Sequence, residues 1–187
     1  MSSASAPPRP GQGTLRQRLA EILRVDHAGE LGAVWIYRGQ RAVFEHAPGR
    51  DRIRADLADM EGHEQAHLDR FDALLNEQKV RPTVMAPVWR AAGFALGAGT
   101  ALLGEKAAHA CTEAVETVIE DHYAGQIAEL QEREPDLADE LARFRDEELA
   151  HRDKAVEEGA RDAPGYALLS AVIRAGCRTA IKLSEKV

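Results

Sequence analysis

The pair Glu-x-x-His occurs twice in this chain, as Glu64 with His67 and as Glu148 with His151, and each copy trails a lone glutamate, Glu30 and Glu116, by nearly the same distance. Residues three apart on a helix share a face, so each pair offers a carboxylate and an imidazole side by side. Six such side chains are useful only if four helical segments bring them to one place. One Glu from each of two helices, with a Glu-x-x-His pair from each of two others, is the known ligand set of carboxylate-bound iron pairs in four-helix bundles; the pattern is matched to that set rather than derived afresh.

Periodicity tests whether the six residues face inward. The stripe through the first pair reads Leu57, Met60, Glu64, His67, Phe71, Leu74, and through the second Leu137, Leu141, Phe144, Glu148, His151, Ala155. Polar ligands thus interrupt core seams at helical spacing. The lone glutamates behave alike: Leu23, Glu30, Tyr37 and Phe44 fall at successive sevens, as do Leu102, His109, Glu116, Tyr123 and Leu130. Four buried carboxylates repel one another and are costly without cations. Two ferrous ions would balance them.

The 187 residues, 44% hydrophobic and 29% charged, suit one soluble domain, and a net charge of -7 disfavours a general nucleic-acid surface. Cys111 and Cys177 have no Cys-x-x-Cys partner and read as reduced thiols. The Ser-, Ala-, Pro- and Gly-rich opening has no apolar core, so it reads as neither a secretory signal nor a transit peptide, and residues 1–14 are expected to form a disordered tail ahead of a domain over 15–187. Helices are expected over Leu15 to His46, Asp51 to Gln78, Ala101 to Glu134, Pro135 to Glu158 and Tyr166 to Glu185, with the break at Ala47-Pro48-Gly49 making the first two a hairpin. The next two make a second hairpin.

Between the hairpins, Val84 to Gly104 is apolar almost all round but carries Arg90 and four glycines. It reads as a segment at a membrane interface or lining an apolar tunnel, with a buried core segment as the alternative. Arg174, Arg178 and Lys182 recur every four residues on an otherwise apolar last helix, a cationic stripe suited to an anionic membrane or a partner, with a solvated face of an ordinary bundle helix as the alternative. His63, Glu64 and His67 also spell the zincin motif His-Glu-x-x-His. No third ligand follows it, and a zinc protease would leave Glu30, Glu116, Glu148 and His151 unexplained.

Longer matches accompany the ligands: Val25-Asp26-His27-Ala28-Gly29-Glu30, Arg81-Pro82-Thr83-Val84, Gly93 through Gly104, Phe144-Arg145-Asp146-Glu147-Glu148-Leu149-Ala150-His151, and Ala175-Gly176-Cys177-Arg178. By these the chain, from about Leu19 onward, resembles the demethoxyubiquinone hydroxylase family of ubiquinone biosynthesis. The resemblance implies an all-α, ferritin-like four-helix bundle made of two hairpins, with an apolar connecting segment and an extra C-terminal amphipathic helix. It also implies two iron ions held by Glu30, Glu64, His67, Glu116, Glu148 and His151, with molecular oxygen as co-substrate and an external reductant such as NADH. The substrate would be a polyprenylated quinol, and the enzyme a peripheral membrane monooxygenase at the cytoplasmic face of a bacterial inner membrane, or at the mitochondrial inner membrane in a eukaryote. A second copy or another ubiquinone-biosynthesis protein would be its partner, and no nucleic acid.

The same resemblance points to His122 and Tyr123 as catalytic residues and to Arg178 near the quinone entrance, while Lys182 departs from the aromatic residue of relatives. Tyr123, a heptad after Glu116, should face the cluster; His122 is about a hundred degrees off that face. Asp26, one turn before Glu30, is a candidate acceptor for His67 or His151, whose rings need one. Competing readings are weaker on this sequence. An iron store needs no glycine-rich apolar segment, a tRNA hydroxylase needs a basic surface, and a metal-free binding protein would not keep all six ligands.

Overall fold

The computed structural model describes residues 14–186, and among them there are six α-helices and no strand. They are α1 (Leu15–Phe44), α2 (Asp51–Gln78), α3 (Ala86–Leu102), α4 (Glu105–Leu130), α5 (Pro135–Glu157) and α6 (Tyr166–Ser184), with a 3-10 turn at Ala160–Asp162 before the last. The tail expected over residues 1–14 lies outside the described residues except at Thr14. That residue caps α1: its hydroxyl accepts from the Gln17 N–H at 3.3 Å while the Gln17 side chain accepts from the Thr14 N–H at 2.8 Å. Pro135 stands at the start of α5, where its missing N–H is no loss.

Expected and observed helix ends differ by a residue or two for α1, α5 and α6, the scale on which helix ends fray. The exception is α4. A helix from Ala101 to Glu134 was expected, but Ala101 and Leu102 belong to α3, because Gly104 adopts φ 112° and breaks the chain between the two. The heptad stripe of α4 therefore begins at buried His109, and Leu102 is 75% exposed rather than core.

Helix α1 runs up, α2 returns beside it, α4 runs down and α5 up, which gives two antiparallel hairpins face to face. Tyr123 of α4 reaches Glu30 and Arg18 reaches Glu129 at 2.9 Å, so α4 is antiparallel to α1. The bottom of α2 must therefore be connected to the top of α4, and α3 makes that crossover as a helix parallel to α1. One long crossover is the connectivity of ferritin-like bundles. Glycines permit its close contact with α1: a Cβ on Gly97 would stand 2.0 Å from the Ile36 carbonyl oxygen, and one on Gly39 would stand 2.3 Å from that of Phe94. Any larger residue at these points would force the two backbones apart.

Apolar clusters close the bundle at both ends. Ile22, Leu23, Phe71, Leu75, Leu130 and Leu141 fill one end, and Phe44, Ile53, Leu57, Met60 and Ala108 the other. Helix α6 lies along α4 through Ile173 and Leu169, and the Trp89 indole N–H donates to the Ser184 hydroxyl at 2.9 Å, tying α3 to α6. The apolar segment is thus neither all core nor all surface. Gly93, Gly97, Thr100 and Ala101 are buried against the bundle, while Val88, Phe94, Leu102 and Leu103 are exposed, as are Leu168, Val172 and Leu183 of α6.

Candidate metal centre

Between the two apolar ends, Glu30, Glu64, Glu116 and Glu148 are at most 1% exposed, and His67 and His151 at most 5%. All six sequence-predicted ligands converge, arriving from the α1 and α4 seams and from the inward faces of α2 and α5. They form two overlapping groups, Glu30, Glu64, His67, Glu148 and Glu64, Glu116, Glu148, His151, whose donor atoms lie within 4.8 Å of one another. Glu64 and Glu148 belong to both.

The arrangement repeats itself across the centre. His67 Nδ1 lies 3.1 Å from Glu148 Oε1, and His151 Nδ1 lies 3.1 Å from Glu64 Oε1. The Tyr37 hydroxyl donates to Glu116 at 2.9 Å, and that of Tyr123 donates to Glu30. Each lone glutamate is therefore held by the tyrosine one heptad beyond the other. Outward, His67 Nε2 meets Glu147 at 2.8 Å and His151 Nε2 meets His63 Nδ1 at 3.0 Å.

The donor set fits cations. Both oxygens of Glu64 and of Glu148, Oε2 of Glu30 and of Glu116, and Nδ1 of both histidines are buried without a hydrogen-bond partner. Native interiors rarely tolerate such orphans unless something else engages them. Protonation carries the same message. Burial, then the charge of Glu148, drives Glu64 and Glu116 well above the ordinary carboxylate range, and burial raises Glu30. Burial also opposes the charge on Glu148, but the two imidazoles overcome it and hold that carboxyl at about 2. For His67, burial pulls downward, yet Glu148 and Glu30 beside its ring raise it to about 11. Without metal the cluster holds protons where positive charge is needed. Burial, reinforced by the neighbouring carboxylates, pushes both tyrosines well above their ordinary value, so they remain hydrogen-bond donors.

Asp26 does not serve His67 or His151 as expected. Because α1 and α4 are antiparallel, Asp26 falls opposite His122 and Gln126 and binds them at 3.2 and 2.7 Å, while the outer nitrogens of the two imidazoles emerge between α2 and α5. His122 therefore meets Asp26 rather than the carboxylate cluster. Sequence reasoning did not assign Tyr37 or Glu147 to the site. Both were within reach of the repeat, since Tyr37 follows Glu30 as Tyr123 follows Glu116, and Glu147 precedes His151 as His63 precedes His67. The zincin geometry is absent here: His63 addresses His151, while His67 faces Glu30 and Glu148. On α6, Arg174 is drawn out of the expected cationic stripe to nearly buried Glu113 at 2.8 Å, leaving Arg178 and Lys182 exposed. Both cysteines are free, Cys111 buried and Cys177 half-buried.

Bundle and cluster together define a ferritin-like helical protein with a buried carboxylate and histidine site that could hold metal. Residues 17–184 match the family model described as "Ubiquinone biosynthesis protein COQ7", and the chain belongs to that family. It is 49% identical over 176 residues to the NADPH-dependent 3-demethoxyubiquinone 3-hydroxylase, mitochondrial, of Bos taurus, covering 92% of this chain and 79% of that one. Identity to the 3-demethoxyubiquinol 3-hydroxylase of Rhodospirillum rubrum is 47% over 178 residues, 95% of this chain and 82% of the relative. With the 5-demethoxyubiquinone hydroxylase, mitochondrial, of Saccharomyces cerevisiae it is 39% over 185 residues, 90% and 78%.

Proposed function

We propose that this chain is a di-iron monooxygenase that hydroxylates the ring of demethoxyubiquinol with molecular oxygen, a late step of ubiquinone biosynthesis. The observation that carries the reading is the buried cluster in which two four-residue groups share Glu64 and Glu148. In it Glu30, Glu64, His67, Glu116, Glu148 and His151 would hold the ions, with Glu64 and Glu148 common to both groups. The bound irons would supply the oxygen chemistry, with electrons from a nicotinamide nucleotide; NADH was expected from the sequence, and several relatives carry NADPH in their names.

The protein's own part is positional. Tyr37 and Tyr123 restrain Glu116 and Glu30 by hydrogen bonds, so the outer carboxylates are held as the charge of the centre changes. Ile36, Cys111, Ala114, Val115 and Ile173 form an apolar cluster among α1, α4 and α6, with Leu96 of α3 and Cys177 of α6 at its edge, and keep bulk water from that side of the centre. A quinol ring arriving from the α3–α6 face would part Leu96 and Cys177, while its polyprenyl tail stays with Phe94, Leu102, Leu168 and Val172 outside. No described helix is long and apolar enough to cross a membrane, and an exposed apolar patch of this kind suits docking on one. We place the working enzyme at a membrane surface, with Arg178 and Lys182 toward anionic lipid. His122 meets Asp26 of α1 and adjoins Tyr123, which holds Glu30.

Iron-loaded protein given demethoxyquinol, oxygen and a competent reductant should yield hydroxylated quinol, and Glu64→Ala should lose both the product and most of the iron. Oxidation of ferrous iron with no quinol product in the wild type would replace this reading with an iron oxidase.

A further inference from the structure

The four glutamates, two histidines and two tyrosines of the centre match across its two halves, but the residues outside them do not. Glu147 lies one turn before His151 on α5 and crosses to His67 Nε2 at 2.8 Å. His63 lies one turn before His67 on α2 and crosses to His151 Nε2 at 3.0 Å, its ring stacked on that of His151 with 5.3 Å between centroids and 5° between planes. One outer partner is a carboxylate and the other an imidazole. A further difference lies beside it: Phe144 covers His67, with 4.2 Å between ring centroids, where the corresponding residue of the other half is Met60.

A carboxylate that accepts an imidazole N–H makes that ring a more basic ligand, and losing such a partner costs metal affinity by about 10- to 100-fold. An imidazole partner fixes the ring without bringing a carboxylate to it. Access differs in the same sense. His151 lies at the floor of an open groove of about 330 Å³ between α2 and α5, lined also by Asp56, Asp59, His63, Glu147 and Lys154. His67 does not line that groove, and Phe144 roofs its ring instead.

Resting on the two-metal reading above, we propose that the two metal positions are unequal. The position of Glu30, Glu64, His67 and Glu148 fills first and holds tightly, and that of Glu64, Glu116, Glu148 and His151 fills second and exchanges through the groove. Glu147 and His63 are the positioning residues that set this order. Unequal filling alone would also follow from repulsion between two cations that share carboxylates, so the two outer residues carry the test.

The experiment is an anaerobic titration of the full, metal-free chain with Co2+ alone, followed by calorimetry and by the visible absorption of the bound ion. Two binding steps are expected. Glu147→Gln should weaken the first step by about tenfold and leave the second in place, and His63→Glu should tighten the second by about tenfold and narrow the gap. Both side chains are on the surface, so circular dichroism should report an unchanged fold. Two equal steps in the wild type, or steps that neither variant moves, would overturn the proposal and leave the two-metal reading intact. A chain that bound no Co2+ would overturn both.

Discussion

On the outer faces of α2 and α5 the side chains are charged and paired across the helices: Arg70 with Glu140 at 2.7 Å, Lys154 with Asp56 at 3.7 Å, and Arg52 with Glu158. On α3 and α6, the other side of the same bundle, exposed Val88, Phe94, Leu102, Leu168 and Val172 stand among only a few charges, Arg90, Arg178 and Lys182. The charged face resembles that of any soluble helix pair. The apolar face resembles a core with its partner removed. Yet every residue of the metal cluster comes from α1, α2, α4 and α5, so α3 and α6 add no ligand and need some other reason to exist. The difference teaches that this bundle separates its cluster from its apolar surface: four helices hold the cluster, and two, laid over α1 and α4, present apolar side chains to the outside, where the proposed function would bring a lipid-tailed substrate.

The largest effect should come from making the apolar face resemble the other one. Leu102, Leu168 and Val172 are 75%, 73% and 62% exposed. If each buries itself in a bilayer interface, a fully inserted side chain of this size is worth about 1.5–3 kcal/mol. Replacing all three by Ser should then weaken binding to phospholipid vesicles by roughly a hundredfold or more, even if insertion is only partial. Iron content and melting temperature should stay where they were, because none of the three touches the cluster. Unchanged sedimentation with vesicles would mean that the face serves a protein partner instead.

Much of this contrast was legible in the sequence, and the reasons are local. The buried cluster is legible because Glu64 and His67, like Glu148 and His151, interrupt seams whose other members are mostly Leu, Met and Phe at helical spacing. The crossover was harder. Val84 to Gly104 is apolar almost all round, so periodicity does not say which side turns inward; Gly93 and Gly97, whose missing side chains let α3 sit on α1, decide it, and that depends on what α1 offers at Ile36 and Gly32. Arg174 read as a member of a stripe because spacing reveals a helix face but not its neighbours. Only packing shows that Glu113 lies buried opposite it. Likewise Asp26 reads as an acceptor for His67 or His151 rather than for His122 because the sequence does not say which of four adjoining helices a residue of α1 addresses.

A smaller effect lies between the faces, in the cluster itself. His67 titrates at about 11 against an ordinary 6.5, so between those values the folded, metal-free chain holds a proton that the unfolded chain has released. Glu30, Glu64 and Glu116, raised from the ordinary 4.5, act in the same direction from a lower starting pH. A raised value means stability that is present at low pH and lost as pH climbs. Each excess proton corresponds to about 1.4 kcal/mol per pH unit. Metal-free protein should therefore melt at a lower temperature at pH 9 than at pH 7, and saturating ferrous iron under nitrogen should remove most of that slope. Glu148, held at about 2, works oppositely and only in acid. A metal-free melting temperature that rose from pH 7 to pH 9 would contradict the proton-holding cluster.

The smallest effect separates charges that the sequence grouped together. Near an anionic surface a Lys or Arg contributes about 1 kcal/mol, roughly fivefold in affinity, and its reach shrinks to about 8 Å at physiological ionic strength. Arg178 and Lys182 stand exposed on α6 beside the apolar patch, whereas the Arg174 guanidinium is spent on Glu113, whose side chain is only 4% exposed. Arg178→Gln and Lys182→Gln should each weaken binding to anionic vesicles by up to about fivefold in low salt and by much less at about 0.15 M. Arg174→Gln should leave vesicle binding nearly unchanged but lower thermal stability, since it strands a buried carboxylate. Three equal losses on vesicles, with no change in stability, would return Arg174 to the membrane side of the comparison and separate it from Glu113.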